Sequence, residues 1–177
     1  RYHARVIFPV QTVSGMTVAF GGRTLSADKK VAKYVNSPES EIYSKSHELY
    51  GLYLAKHAIV KQNRCYLVEG YMDVIAMHQS GIENVVASSG TSLTEGQIRL
   101  IHRFTDNITV LYDGDSAGIH ASLRGIDMLL AEGLNVKVLL LPDGDDPDSF
   151  ARKHSAADFQ NYVETRQVDF IRFKTRL

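Results

Sequence analysis

The feature that most constrains this fold is an alternation of short apolar runs with longer amphipathic segments, which begins at Cys65. Each apolar run has the length of a buried strand, and the following segments show helical spacing, as at Ile119, Leu123 and Ile126. Strands joined by helices form βαβ units, which predict a parallel sheet covered by helices. Ligands of such sheets bind outside the carboxyl ends of the strands. We expect strands at residues 65–68, 84–88, 108–112 and 136–141.

Local signals mark the ends of the predicted helices. Gly81 and Gly133 follow the first and third amphipathic segments, where glycine commonly ends a helix. Thr94 is followed three residues later by Gln97, which is the spacing of a capping box at a helix start. These signals predict helices between successive strands.

The chain before Cys65 has a different pattern. Two β-rich runs, at residues 5–10 and 16–20, flank Ser14 and Gly15 and predict a hairpin. A polar stretch at 24–41 precedes a predicted helix at about 46–60. We therefore expect an α/β protein with a Rossmann-like parallel-sheet domain at 64–150. A smaller basic α+β lobe at 1–63 precedes it, and a helical segment at 151–177 follows it.

Charge is distributed unevenly along the chain, although its 20 basic and 20 acidic residues balance. Residues 1–64 hold ten Lys and Arg against four acids, and residues 65–150 hold four against thirteen. Residues 151–177 hold six against three. A basic lobe beside an acidic one suits a protein that holds a polyanion next to divalent cations. The alternative is a chance asymmetry of solvated surfaces.

Other features of composition exclude several classes of protein. The chain has no long apolar run and does not open with a charged and then apolar leader, so we expect neither a membrane span nor a signal peptide. A single cysteine, Cys65, excludes an internal disulfide framework and paired thiol ligands for zinc. We expect a soluble, cytoplasmic protein.

Acidic residues follow three of the predicted strands, at the edge where such sheets bind ligands. Carboxylates held close together repel one another unless cations compensate, and their oxygens favour Mg²⁺ or Mn²⁺. Aspartate is also a common helix cap and turn residue, so each acid has a structural alternative. The residues are Glu69 after the first strand, Asp113 and Asp115 after the third, and Asp143, Asp145, Asp146 and Asp148 after the fourth.

Several motifs together resemble the bacterial DNA primases of the DnaG type. Residues 67–74, 87–92 and 112–118 are similar to the Toprim domain of that family. Upstream, the similar segments are residues 5–9, 20–23, 33–39 and 49–52, and downstream they are residues 141–148.

This resemblance implies a set of functional residues. Glu69, Asp113 and Asp115 would be the catalytic Toprim acids, and Asp146 and Asp148 would complete a site for Mg²⁺, or Mn²⁺ as a substitute, with Asp143 nearby. Contacts to nucleotide phosphates, the template or the primer are implied for Arg23, Lys33, Asn36 and Lys45.

The resemblance also implies an activity, which is synthesis of short RNA primers on a single-stranded DNA template from ribonucleoside triphosphates. The RNA primer hybridised to DNA would be a further ligand, and a replicative helicase would bind through a domain absent from these 177 residues. Two alternatives remain. One is another Toprim enzyme, a topoisomerase or nuclease, and the other is a non-catalytic nucleic-acid-binding module.

Overall fold

In the computed structural model, residues 1–90, 92–112 and 116–175 are described, with the backbone alone for 116–122. They form two sheets, of three and five strands, with helices on both faces of the larger one. None of the described helices combines the length and the hydropathy that a membrane crossing requires.

The smaller sheet is antiparallel and consists of β1 (Arg5–Gln11), β2 (Thr17–Thr24) and β3 (Tyr34–Asn36) in that order. The predicted hairpin joins β1 to β2, and Gly15 takes a left-handed φ of 92° in its turn. Strand β3 lies in the polar stretch at 24–41, where the sequence predicted no strand. Its pairing with β2 uses backbone groups, so polar side chains gave no signal for it.

The larger sheet has the order β5-β4-β6-β7-β8. Strands β4 to β7 pair in parallel, as the sequence pattern predicts, and the two-residue β8 adds an antiparallel edge that was not predicted. The strands are β4 (Cys65–Val68), β5 (Val85–Ala87), β6 (Asn107–Tyr112), β7 (Asn135–Leu140) and β8 (Val168–Asp169).

Helices cover both faces of this sheet because each presents an apolar side to it. One core includes Leu52 of α1, Ile98 of α3 and Leu129 of α4, and the other includes Met77 of α2 and Phe159 of α6. The helices are α1 (Leu52–Gln62), α2 (Tyr71–Gln79), α3 (Glu95–His102), α4 (Ser116–Ala131), α5 (Pro147–Lys153), α6 (Ala156–Arg166) and α7 (Phe170–Lys174).

Helix α1 begins later than the sequence predicted. Residues 45–47 form a separate 3-10 turn, and Gly51 takes a left-handed φ of 86° before the helix starts at Leu52. The predicted start at about residue 46 was therefore wrong, because two backbone elements share one apolar pattern. The division into segments 1–63, 64–150 and 151–177 stays a prediction.

The predicted capping box at α3 is confirmed and also ties two elements together. Thr94 Oγ1 accepts a bond of 3.2 Å from the Gln97 amide, and Gln97 Oε1 accepts one of 3.2 Å from the Thr94 amide. Gln97 is buried, and its Nε2 group also donates hydrogen bonds to the carbonyls of Lys45 and Glu48, at 3.1 and 2.9 Å. The 3-10 turn is thereby fixed against α3.

Candidate active site

A groove lies between the inner face of the smaller sheet and the carboxyl edge of the larger one. Val68, the last residue of β4, and the following Glu69 line the groove. The turn after β5 contributes residues 88–90. Charged and polar residues of both parts of the chain line the groove. Among them are Arg23, Lys33, Tyr34 and Asn36 from the first part, and Glu69, Asp73, Asp146, Asp148 and Arg152 from the second.

Strand register explains why three of the first group meet there. Arg23 of β2 pairs with Tyr34 of β3, and Gly21 pairs with Asn36, so alternate residues of both strands share one face. That face also holds Phe8 of β1, which is buried. The sheet therefore turns Arg23, Tyr34 and Asn36 toward the larger domain.

A hydrogen bond between Tyr71 and Asn36 joins the two parts of the chain at the groove. The Tyr71 hydroxyl donates to Asn36 Oδ1 at 2.8 Å, and the ring stacks on Phe8 with centroids 4.9 Å apart. Burial raises the pKa of Tyr71, which keeps its hydroxyl protonated as a donor. A Cβ at Gly90 would lie 2.8 Å from Asn36 Nδ2, so glycine allows the turn after β5 to approach Asn36 closely.

Removing this hydroxyl tests the junction. Tyr71→Phe keeps the ring packing and deletes the bond to Asn36, so we expect a loss of about 1 kcal/mol in unfolding free energy. Chemical denaturation measures it. Tyr50→Phe is the control, because no hydrogen bond of the Tyr50 hydroxyl is found among the described residues. Equal stability of the two variants would contradict the assigned bond.

The acid that follows β4 stands apart from the others. Glu69 is exposed, and within the described part of the chain its carboxylate forms no ion pair. Its carbonyl accepts a bond of 3.1 Å from the amide of Ser89, which holds the neighbouring turn against the end of β4. Asp73, one turn into α2, accepts from the Gly70 amide at 3.1 Å and also lines the groove. Glu69 is thus available for a ligand.

The four acids after β7 have different surroundings. Asp146 caps α5 by accepting from the Ser149 amide at 2.7 Å, and Asp148 pairs with Arg152 at 2.7 Å. Both line the groove. Asp145 is buried and bonds Lys153 at 2.6 Å and Ser149 at 2.7 Å, and these bonds lower its pKa.

Two predicted site residues do not reach the groove. Asp143 is an exposed turn residue with a φ of 56°, and it lies outside the lining. Lys45 is also outside it, and its amide donates to Glu39 Oε1 at 2.8 Å. Asp113 and Asp115 lie outside the described residues, as does Thr91. Their predicted roles stay predictions.

Tyr34 is a groove residue that the sequence did not single out. The Arg23 guanidinium and the Lys33 ammonium each lie 5.9 Å from its ring centroid. Burial raises its pKa, Arg23 opposes that change, and Asp73, Asp148 and Asp146 reinforce it. Tyr34 therefore stands between the basic and acidic walls. Only the pairing of β3 reveals this, since the surrounding sequence is polar.

The donor chemistry of the groove fits a hard divalent cation, since its acids offer carboxylate oxygens only. The described residues alone do not bring three or more metal-ligating side chains together.

Two protein families match consecutive parts of the chain. Residues 1–56 match the family described as the N-terminal domain of the DNA primase catalytic core. Residues 66–151 match the family described as Toprim-like. The groove lies between these two matched regions.

Curated relatives are similar over almost the whole chain. A DNA primase of Halalkalibacterium halodurans is 47% identical over 176 residues, which cover 99% of this chain and 29% of the relative. A DNA primase of Escherichia coli K12 is 43% identical over 167 residues, covering 93% of this chain and 28% of the relative. The chain thus spans less than a third of the curated relatives it matches.

Solved structures agree with the sequence relatives. A DNA primase domain from Pseudomonas aeruginosa has a TM-score of 0.89 and 38% identity, and the match covers 99% of this chain and 55% of that one. A DnaG primase catalytic domain bound to single-stranded DNA has a TM-score of 0.84 and 42% identity, covering 93% and 52%. The chain therefore belongs to the bacterial DNA primase family and corresponds to part of its catalytic core.

Proposed function

We propose that this chain is the part of a DNA primase in which ribonucleotides are joined on a single-stranded DNA template. The observation that carries the proposal is one groove with a cationic wall, from Arg23 and Lys33, and an acidic wall, from Glu69, Asp146 and Asp148. Primer synthesis needs both, because template and nucleotide phosphates are anionic and metal ions require carboxylates.

The acidic wall supplies the metal ligands in this proposal. Glu69, Asp113, Asp115, Asp146 and Asp148 would hold Mg²⁺, with Mn²⁺ as a substitute. Bound there, the metal would offset triphosphate charge and stabilise the attacking and leaving oxygens. Asp148 forms an ion pair with Arg152, so its carboxylate would have to weaken that pair to bind a cation. Asp146 is positioned already by its cap bond to Ser149.

The cationic wall binds phosphates in this proposal. Arg23 and Asn36 project from one face of the smaller sheet, and both line the groove together with Glu69. Tyr71 holds Asn36 by its hydrogen bond, which fixes the amide beside Gly90. The residues named here contact phosphates rather than base edges, so binding is independent of sequence and weakens as salt rises.

Salt dependence measures the number of these phosphate contacts. For single-stranded DNA, we expect Lys33→Ala to reduce the slope of log affinity against log salt concentration by about 0.7. Fluorescence anisotropy over a range of salt concentrations measures it. Lys61→Ala, at the exposed end of α1, is the control and leaves the slope unchanged. A wild-type slope in Lys33→Ala would remove Lys33 from the phosphate contacts.

Ribonucleotide incorporation tests the activity itself. The intact protein is incubated with single-stranded DNA, labelled ribonucleoside triphosphates and Mg²⁺ or Mn²⁺. We expect short RNA products that require the template and disappear with a chelator. Cleavage of labelled DNA without RNA synthesis would instead support the nuclease alternative, and DNA binding without either reaction would support a binding module.

A further inference from the structure

Beside the groove, the smaller sheet carries an apolar notch, defined here by Val6, Phe8, Leu25, Val31 and Met72. Val6 and Phe8 lie on the same face of β1, because side chains alternate along a strand. Phe8 is 4% exposed, whereas Val6 is 43% exposed. The covered part of this face therefore ends at Phe8, and the notch begins there.

The loop at 24–33 walls the notch and is anchored at its base. The Arg5 guanidinium donates to the carbonyls of Ala32 at 2.8 Å and Lys33 at 3.3 Å, and the Thr24 amide bonds the Lys33 carbonyl at 3.0 Å. Because of these bonds, the loop holds a defined position although its side chains are exposed. Leu25 is 78% exposed, and Val31 is 39% exposed.

Two cations connect the notch to the groove. Arg23 and Lys33 line both cavities, and so does Met72. Arg23 pairs in register with Val6, which places the cation next to the uncovered apolar surface. A ligand that spans both cavities thus has an anionic part beside Arg23 and Lys33 and a flat apolar part beside Val6.

We propose that the notch binds the nucleobase of a nucleotide whose phosphates are held by Arg23 and Lys33. This inference rests on the function proposed above and adds a subsite to it. The aliphatic side chains of the notch contact the face of a base and form no hydrogen bonds to its edges, so these contacts do not distinguish one base from another. A ribonucleoside triphosphate and the DNA template share this chemistry, and the experiment separates them.

The test uses two double variants of the intact protein with equal losses of exposed aliphatic surface. Leu25→Ala/Val31→Ala opens the notch, and Leu54→Ala/Val60→Ala removes exposed side chains of α1 as the control. Binding is measured for ATP, inorganic tripolyphosphate, a single-stranded oligodeoxynucleotide and its abasic analogue. We expect the notch variant to bind ATP or the oligodeoxynucleotide about tenfold more weakly. Tripolyphosphate and the abasic strand should bind as they do to the wild type.

The ligand that binds the notch variant more weakly identifies the source of the base, a ribonucleoside triphosphate or the DNA template. Equal binding of all four ligands by the notch variant and the wild type would overturn the subsite, as would equal weakening of the ligands without a base. In either case the wild type still binds tripolyphosphate, and the proposed function stands. A wild type that binds none of the four would refute the proposed function instead.

Discussion

Glu69→Gln is expected to lower the rate of ribonucleotide incorporation by about 100-fold or more, while the protein stays folded. Glutamine has the shape of glutamate and lacks its charge, so it cannot offset the charge of a bound cation, and such cations contribute several kcal/mol to stabilising the transition state. Glu69 is exposed and forms no ion pair within the described residues, so its replacement costs little stability. Template-dependent RNA synthesis and thermal unfolding measure the two effects.

The matched control for this experiment is Glu83→Gln. Glu83 is also exposed, but it lies before β5, away from the residues that line the groove. This variant should synthesise RNA at the wild-type rate. Activity of Glu69→Gln within a few-fold of the control would contradict the assignment of Glu69 to the reaction.

Gly96→Ala is expected to destabilise the protein by about 2 kcal/mol, although alanine is ordinarily the better helix residue. A Cβ at Gly96 would lie 2.5 Å from the Ser46 carbonyl oxygen, which is backbone and has little freedom to move. This close approach lies where the 3-10 turn packs against α3, and there Gln97 donates to the carbonyls of Lys45 and Glu48. Urea denaturation of both proteins measures the difference.

Gly125→Ala is the counterpart within another helix. A Cβ at Gly125 would meet Leu93 at 3.7 Å, an ordinary contact, so here the helix preference of alanine should prevail. We expect a stabilisation of up to about 1 kcal/mol. If Gly96→Ala stabilised the protein as Gly125→Ala is expected to do, the close packing of Gly96 on Ser46 would be wrong.

The sequence predicts the larger sheet well because its signals are local. Strand β4 has the predicted bounds, and the Thr94 and Gln97 cap has the predicted bonds. Strand β3 and the late start of α1 escaped prediction for the opposite reason. Pairing of β3 depends on β2, ten residues or more away, and the left-handed Gly51 interrupts an apolar pattern that continues through it.

The candidate site could likewise be predicted only in part from the sequence. Counting acids after strands finds the edge of the sheet at which the groove lies, but it cannot tell Asp145, which bonds Lys153, from Asp146 and Asp148, which line the groove. Tyr34 was missed because its position beside Arg23 follows from strand register. Roles that depend on neighbours distant in sequence require the fold.

Metal binding shows whether Glu69 belongs to a cation site, on which the proposed reaction depends. Mn²⁺ is titrated by calorimetry into the intact wild-type protein, Glu69→Gln and Glu83→Gln. We expect the wild type and Glu83→Gln to bind Mn²⁺ alike, and binding to be lost or strongly weakened in folded Glu69→Gln. Unchanged Mn²⁺ affinity in Glu69→Gln would contradict the claim that Glu69 holds the metal.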